Sequence, residues 1–171
     1  MNNELDFYID IEYDKDINDF DCGFEVFNAY LKYKFLEDKA VIHYIIDAEN
    51  DNLIAYFSLL ASSIFLNDTT KQNSLYASNI IPAIEIKMFA IDKKYRGLKL
   101  SGLFLEDIYN VVIGHLLQYI GAEALILYSV PSDKVIRMYE KSGFKKMPLD
   151  YSMYTSNFNN RCIPMYKLIE F

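Results

Sequence analysis

The chain has 171 residues, 52% of them apolar and 24% charged, with a formal net charge of −7, a length that suits one domain with a sizeable core over residues 1–171. Two cysteines, Cys22 and Cys162, are too few and too far apart for a disulfide framework or a zinc knuckle, so each reads as a buried thiol and no metal site is expected. The acidic opening from Met1 to Asp6 is unlike the basic start of a signal peptide, and no run nears the roughly 18 uninterrupted apolar residues of a membrane span, so a cytoplasmic protein without membrane contact is expected.

In chain order, Leu5 to Glu12 alternates as a strand, and Asp21 is placed to cap a helix reaching about Lys39 with Phe24, Phe27, Leu31 and Phe35 inward. Val41 to Ala48 and Leu53 to Ser62 read as strands of a hairpin about the polar turn Glu49 to Asn52. Asn67 to Asn79 is polar and reads as a loop near an acceptor site. Ala83 to Ile91 alternates again, Asp92 to Arg96 breaks the pattern with charge, and Leu100, Leu103, Phe104, Ile108, Val111 and Val112 then recur at helical spacing. That helix is expected to reach Ile120 and stop at Gly121. The strand Ala124 to Val130, a short helix opened by Pro131, Ser132 and Asp133 and ending before Gly143, and strands near Tyr151 to Ser156 and Pro164 to Ile169 complete the order. Repeats, low-complexity segments and linkers are not evident.

The stretch from Glu85 to Gly102 carries the chemistry. A strand running through a glycine-bearing turn into a helix N-terminus presents unpaired N–H groups and the positive end of a dipole, which suit a pyrophosphate. This segment resembles the acetyl-CoA-binding motif of the GNAT superfamily of N-acetyltransferases, in which an Arg or Gln is followed after two residues by Gly, one residue, and Gly or Ala. Arg96 holds the first place, whereas Lys99 and Ser101 stand where glycines are usual; Gly97 and Gly102 flank them. A side chain at either place crowds the backbone's approach to phosphate, although Lys99 adds a charged donor and Ser101 a hydroxyl.

A second block supports the first. Tyr139-Glu140-Lys141-Ser142-Gly143-Phe144 resembles the Y-E-K-x-G-F signature of the same superfamily, where the tyrosine lies beside the cofactor sulfur and acts as general acid. The residue alone also reads as a core tyrosine before a glycine C-cap. Ser132 stands where an Asn is common and Val135 where an Ala is usual. Phe20-Asp21-Cys22-Gly23, followed by Phe27, Tyr30 and Leu31, resembles the opening helix of a GNAT branch that contains toxins of toxin-antitoxin modules.

The resemblance implies a mixed, largely antiparallel α/β sheet with helices on both faces and a splayed central strand pair. Its gap would admit the pantetheine arm of acetyl-CoA against backbone at Phe89, Ala90 and Ile91, with Arg96, Gly97, Lys99, Leu100, Ser101, Gly102 and Ser132 around the rest of the coenzyme A. Tyr139 would be the general acid, and Glu85 resembles a carboxylate base, although water serves in many relatives. The implied enzyme is an acetyl-CoA-dependent N-acetyltransferase acting on a primary amine of a small molecule or peptide. The alternatives are a GNAT toxin acetylating the amino group of aminoacyl-tRNA, with an antitoxin as partner, and a non-catalytic acyl-CoA-binding module; a homodimer is compatible with each.

Charge bears on the acceptor. Between Met1 and Glu25 stand nine acidic residues and one lysine, while Lys87, Lys93, Lys94, Arg96 and Lys99 gather around the turn and Lys134, Arg137, Lys141, Lys145 and Lys146 around the second motif. A basic rim suits the phosphates of coenzyme A, and the acidic start argues against a polyanion. His43 and His115 have no second ligand or nucleophile at a telling spacing, and the many tyrosines and phenylalanines read as core.

Overall fold

The computed structural model describes residues 5–34, 39–66, 80–148, 151–153 and 161–170. Among them, strands β1 (Phe7–Asp10), β2 (Val41–Asp47), β3 (Leu53–Leu66), β4 (Ile80–Ile91), β5 (Ala124–Ser129), β6 (Lys145–Lys146), β7 (Tyr151–Met153) and β8 (Ile163–Leu168) accompany helices α1 (Glu25–Ala29), α2 (Leu100–Gly114) and α3 (Asp133–Lys141). Hydrogen-bonded neighbours run β1-β2-β3-β4-β5-β8-β6, with β7 beside β3. The expected mixed, largely antiparallel sheet is present.

Residues Met1–Leu60 with Ile86–Leu100 form one compact unit, and Ala61–Glu85 with Ser101–Phe171 form another. In the first, β2 and β3 pair antiparallel from Val41↔Leu59 to Ile46↔Leu53 with a register shift at Ile45/Ile46, and β1 pairs with β2. The turn between β2 and β3 closes as expected: the Asp51 N–H donates to the Asp47 carbonyl at 2.8 Å, with Asp51 itself at φ 55. An aromatic core fills this unit. Tyr56 is fully buried, stacks on Tyr30 at 6.4 Å, meets Phe20 edge-on at 5.5 Å and donates its hydroxyl to the Phe27 carbonyl at 2.8 Å. A buried tyrosine that satisfies its hydroxyl in this way contributes ring area without an orphaned polar atom. His43 is also buried here, stacked on Phe57 at 4.6 Å, and burial lowers its pKa and keeps it neutral.

In the second unit, β5 and β8 pair antiparallel from Ala124↔Leu168 to Ser129↔Ile163. Ala124, Leu125, Ile126 and Leu127 are all buried, so β5 is covered on both faces, which explains its unbroken apolar run. The stretch Leu100–Gln118 is long and apolar enough by length and composition to cross a membrane, although Glu106 and Asp107 interrupt it. Its Phe104, Ile108 and Val112 are fully buried, which marks a core helix.

Two expected helices differ, and one strand is additional. The helix from Asp21 to Lys39 is a single α-turn and a half, followed by a π-helical turn over Tyr30–Lys34, and Asp21 does not cap it. Asp21 is held elsewhere, as described below, and Phe24 is 64% exposed rather than inward; Phe35 lies outside the described residues. Helix α2 ends at Gly114, not Ile120, because glycine is a poor interior residue; Leu116–Gln118 continues only as a 3-10 turn. Strand β6 has no signal in the sequence, being two exposed lysines paired with Tyr166 and Met165. The expected loop from Asn67 to Asn79 lies outside the described residues.

Candidate functional site

The turn after β4 belongs to the first unit and is held from both ends. Asp92, 2% exposed, accepts from its own turn at the Lys94 N–H (2.8 Å) and from the distant Asp21 N–H (3.0 Å). A carboxylate so placed starts the 3-10 turn Lys93–Tyr95 in the manner of an N-cap. The backbone then turns through Gly97 at φ 90 and Lys99 at φ 57 before Leu100, itself buried, opens α2. Lys99 therefore adopts the left-handed conformation that glycine favours, at the place where a glycine is usual in the motif. A Cβ added at Gly97 or at Gly102 would meet nothing within 4 Å, so both positions border open space.

Along β4, the Met88 N–H donates to Ser58 Oγ at 3.2 Å and the Asp92 N–H to the Ile54 carbonyl at 2.9 Å. By the two-residue alternation of a strand, the amides of Phe89 and Ile91 face the opposite edge. Ala90 is buried in the aromatic core.

The cations of the turn are less free than their number in the sequence implied. Lys93 pairs with Asp21 at 2.5 Å, and an Arg96 guanidinium nitrogen donates to the Cys22 carbonyl. The guanidinium lies so close to Gly23 that a Cβ there would stand 2.9 Å from it. Lys93, then Asn28 and the Gly23 N–H, hold the Asp21 carboxyl well below the ordinary carboxylate range, and the Lys93 ammonium is raised in turn. Sequence reasoning missed Asn28. It is the buried residue of α1, and the signal available was a polar side chain in an otherwise apolar stretch.

Glu85, Ser101, Gly102, Ser132 and Tyr139 belong to the second unit. Tyr139 lies in the last turn of α3, 9% exposed, and burial pushes its hydroxyl up to about 12. The end of this helix explains the rest of the motif. The Phe144 N–H donates to the Tyr139 carbonyl at 3.1 Å and the Gly143 N–H to that of Glu140 at 3.1 Å, with Gly143 at φ 89: a Schellman closure. The Phe144 ring meets that of Tyr139 edge-on at 5.9 Å, the apolar contact that accompanies such closures. Ring, glycine and phenylalanine are thus all accounted for by folding, whereas among the described residues none of these bonds engages the tyrosine hydroxyl. Ser132 stands at the N-cap of α3 without a side-chain cap bond. Glu85 is 6% exposed on β4, rather than a solvated edge residue, and its charge, second to burial, raises the hydroxyl of Tyr128 on β5. Lys134, Arg137 and Lys141 are exposed along α3, and Lys145 and Lys146 on β6.

The fold matches solved structures of bacterial toxins. One described as a bacterial toxin superposes with a TM-score of 0.73 at 19% identity, covering 96% of this chain and 92% of that one. A tyrosine-to-phenylalanine mutant of KacT gives 0.70 at 19% identity over 96% and 95%. AtaT complexed with acetyl-methionyl-tRNAfMet gives 0.67 at 19% identity over 92% and 93%. This chain has the GNAT fold. No protein-family model matches the sequence. At these identities the likeness carries the GNAT architecture, and the chemistry rests on the residues.

Proposed function

We propose that the chain is an acetyl-CoA-dependent N-acetyltransferase whose acceptor is the amino group of an aminoacyl-tRNA. The observation that carries the acceptor is the likeness to AtaT, which was solved with acetyl-methionyl-tRNAfMet and, in another structure, with acetyl-CoA. It moves the preference from the small-molecule or peptide amine, which the acidic N-terminal residues favoured, to the tRNA. The charge distribution fits. The acidic residues Asp10, Glu12, Asp14, Asp16 and Asp19 belong to the first unit, while the exposed cations of α3 and β6 all belong to the second.

Bound acetyl-CoA would supply an activated thioester. Its phosphates suit the turn from Arg96 to Gly102, where glycines border open space at a helix N-terminus. Glu85 would take a proton from the ammonium form of the acceptor, leaving a neutral amine to meet the thioester, and Tyr139 would give its hydroxyl proton to the departing sulfur and regain one from the nitrogen as the amide forms. A hydroxyl with a pKa of about 12 is fully protonated at neutral pH, the state an acid needs. An antitoxin partner follows from the same reading, since AtaT was also solved bound to the C-terminus of the antitoxin AtaR.

The test is charge. Binding of an aminoacyl-tRNA should fall steeply with salt, and replacing Lys134, Arg137, Lys145 and Lys146 together should flatten that slope by about one for each phosphate no longer neutralised, while leaving acetyl-CoA binding intact. Induced expression should arrest translation. Salt-independent binding without growth arrest would return the acceptor to a small amine.

A further inference from the structure

We propose that Asn28 is a positioning residue for the cofactor's phosphates, acting through Arg96 and Lys93 rather than touching ligand itself. The inference rests on the reading of the Arg96 turn as the phosphate site. Its basis is a chain of hydrogen bonds that starts on one buried side chain and ends on two cations.

Asn28 is 8% exposed and uses both ends of its amide. Its oxygen accepts from the Cys22 N–H at 3.0 Å, and its nitrogen donates to Asp21 Oδ1 at 3.0 Å. Each branch reaches a cation of the turn. Cys22, anchored through its N–H, presents the carbonyl of the following peptide to Arg96, and that peptide's Gly23 N–H donates to Asp21 Oδ1 at 2.7 Å; the carboxylate fixed at Asp21 presents Oδ2 to Lys93 at 2.5 Å. Two further bonds close the same junction: the Lys93 N–H donates to the Asp21 carbonyl at 2.9 Å, and the Asp21 N–H to Asp92 Oδ2 at 3.0 Å. Gly23 lets the guanidinium approach, since any Cβ there would collide with it.

Long cationic side chains lose rotamer freedom when they grip an anion. In the ligand-free chain the junction already holds Arg96 and Lys93, so part of that freedom is given up before an anion arrives. Asn28 is the element common to both, and neither of its bonds is replaceable by water without opening the buried junction. The segment Phe20 to Gly23 therefore serves the phosphate turn rather than the acceptor.

Asn28→Ala removes both branches. It should weaken acetyl-CoA about tenfold by calorimetry, the loss expected when a buried N–H and a carboxylate are left without their partner. The affinity for S-acetylpantetheine, which keeps the thioester and lacks the phosphates, should not change. Asp21→Asn, at a partly exposed side chain, breaks only the Lys93 branch and should show the same selectivity at smaller size, so the inference remains testable if Asn28→Ala does not fold. Equal losses for both ligands, or unchanged acetyl-CoA affinity in both variants, would overturn it. Wild-type protein that binds acetyl-CoA no better than S-acetylpantetheine would overturn the phosphate site and the inference with it.

Discussion

Two helix termini carry the sequence motifs, and they solve the same backbone problem with different residues. At the end of α3 a left-handed conformation falls on Gly143, and at the start of α2 it falls on Lys99. The first is relaxed, closed by its own hydrogen bonds and by the ring pair of Tyr139 and Phe144. The second places a side chain where left-handed backbone costs about 1 kcal/mol or more, and it does so within the candidate phosphate turn. Strain of this kind persists where surrounding interactions over-determine the backbone, and the turn that leads to Lys99 is anchored at Asp92 by the Asp21 and Lys94 N–H groups.

The comparison separates a chemical role from a folding role, and Tyr139 tests it most strongly. Tyr139→Phe keeps the edge-on pair with Phe144, so melting temperature and acetyl-CoA affinity should hold while turnover falls by roughly 10²-fold or more. Matching losses of binding and turnover would make the tyrosine a packing residue. Exchange of backbone preference gives the next effect. Lys99→Gly should stabilise the protein to urea by about 1 kcal/mol, and Gly143→Ala should destabilise it by about the same or more, since the Cβ faces only the flexible end of Lys167 and the cost is conformational. A loss of stability in Lys99→Gly would mean that the lysine side chain holds the turn by interactions that outweigh its strain.

The smallest effects are on pH. Asp21 has its carboxyl lowered from 3.8 by Lys93, so its contribution is complete above about pH 4 and is lost as the pH falls below that; Asp21→Asn should flatten the acid limb of stability. Tyr139 has its hydroxyl raised by burial from 10.0 to about 12, so its contribution is complete below pH 10 and is lost between 10 and 12. Denaturation of wild-type and Tyr139→Phe protein across that range should show the wild type losing stability relative to the variant.

What could be read from the sequence follows from the reach of the interactions. The Schellman closure of α3 spans Tyr139 to Phe144, so its glycine and its aromatic pair lie in one short string and their spacing is visible. The strands from β2 to β5 were visible for the same reason, through local alternation or an unbroken apolar run. The junction behind the Arg96 turn joins residues 71 to 74 positions apart, and nothing near Asp21 announces that its partners are Asp92, Lys93 and Arg96. A capping role for Asp21 was the local reading of a residue whose partners are distant. Glu85 was named from resemblance, but its burial and its influence on Tyr128 come from the neighbouring strand and have no sequence signal.

The π-helical turn at Tyr30–Lys34 bears on how this chain tolerates changes of length. Successive residues of an α-helix point about 100° apart, yet Tyr30 and Leu31 are both fully buried in the aromatic core, an arrangement that the wider turn accommodates by fitting one extra residue into the coil. The segment is, in effect, an insertion that folding has already absorbed. A relative shorter by one residue there is expected to run as plain α-helix, with a single inward side chain where this protein has two.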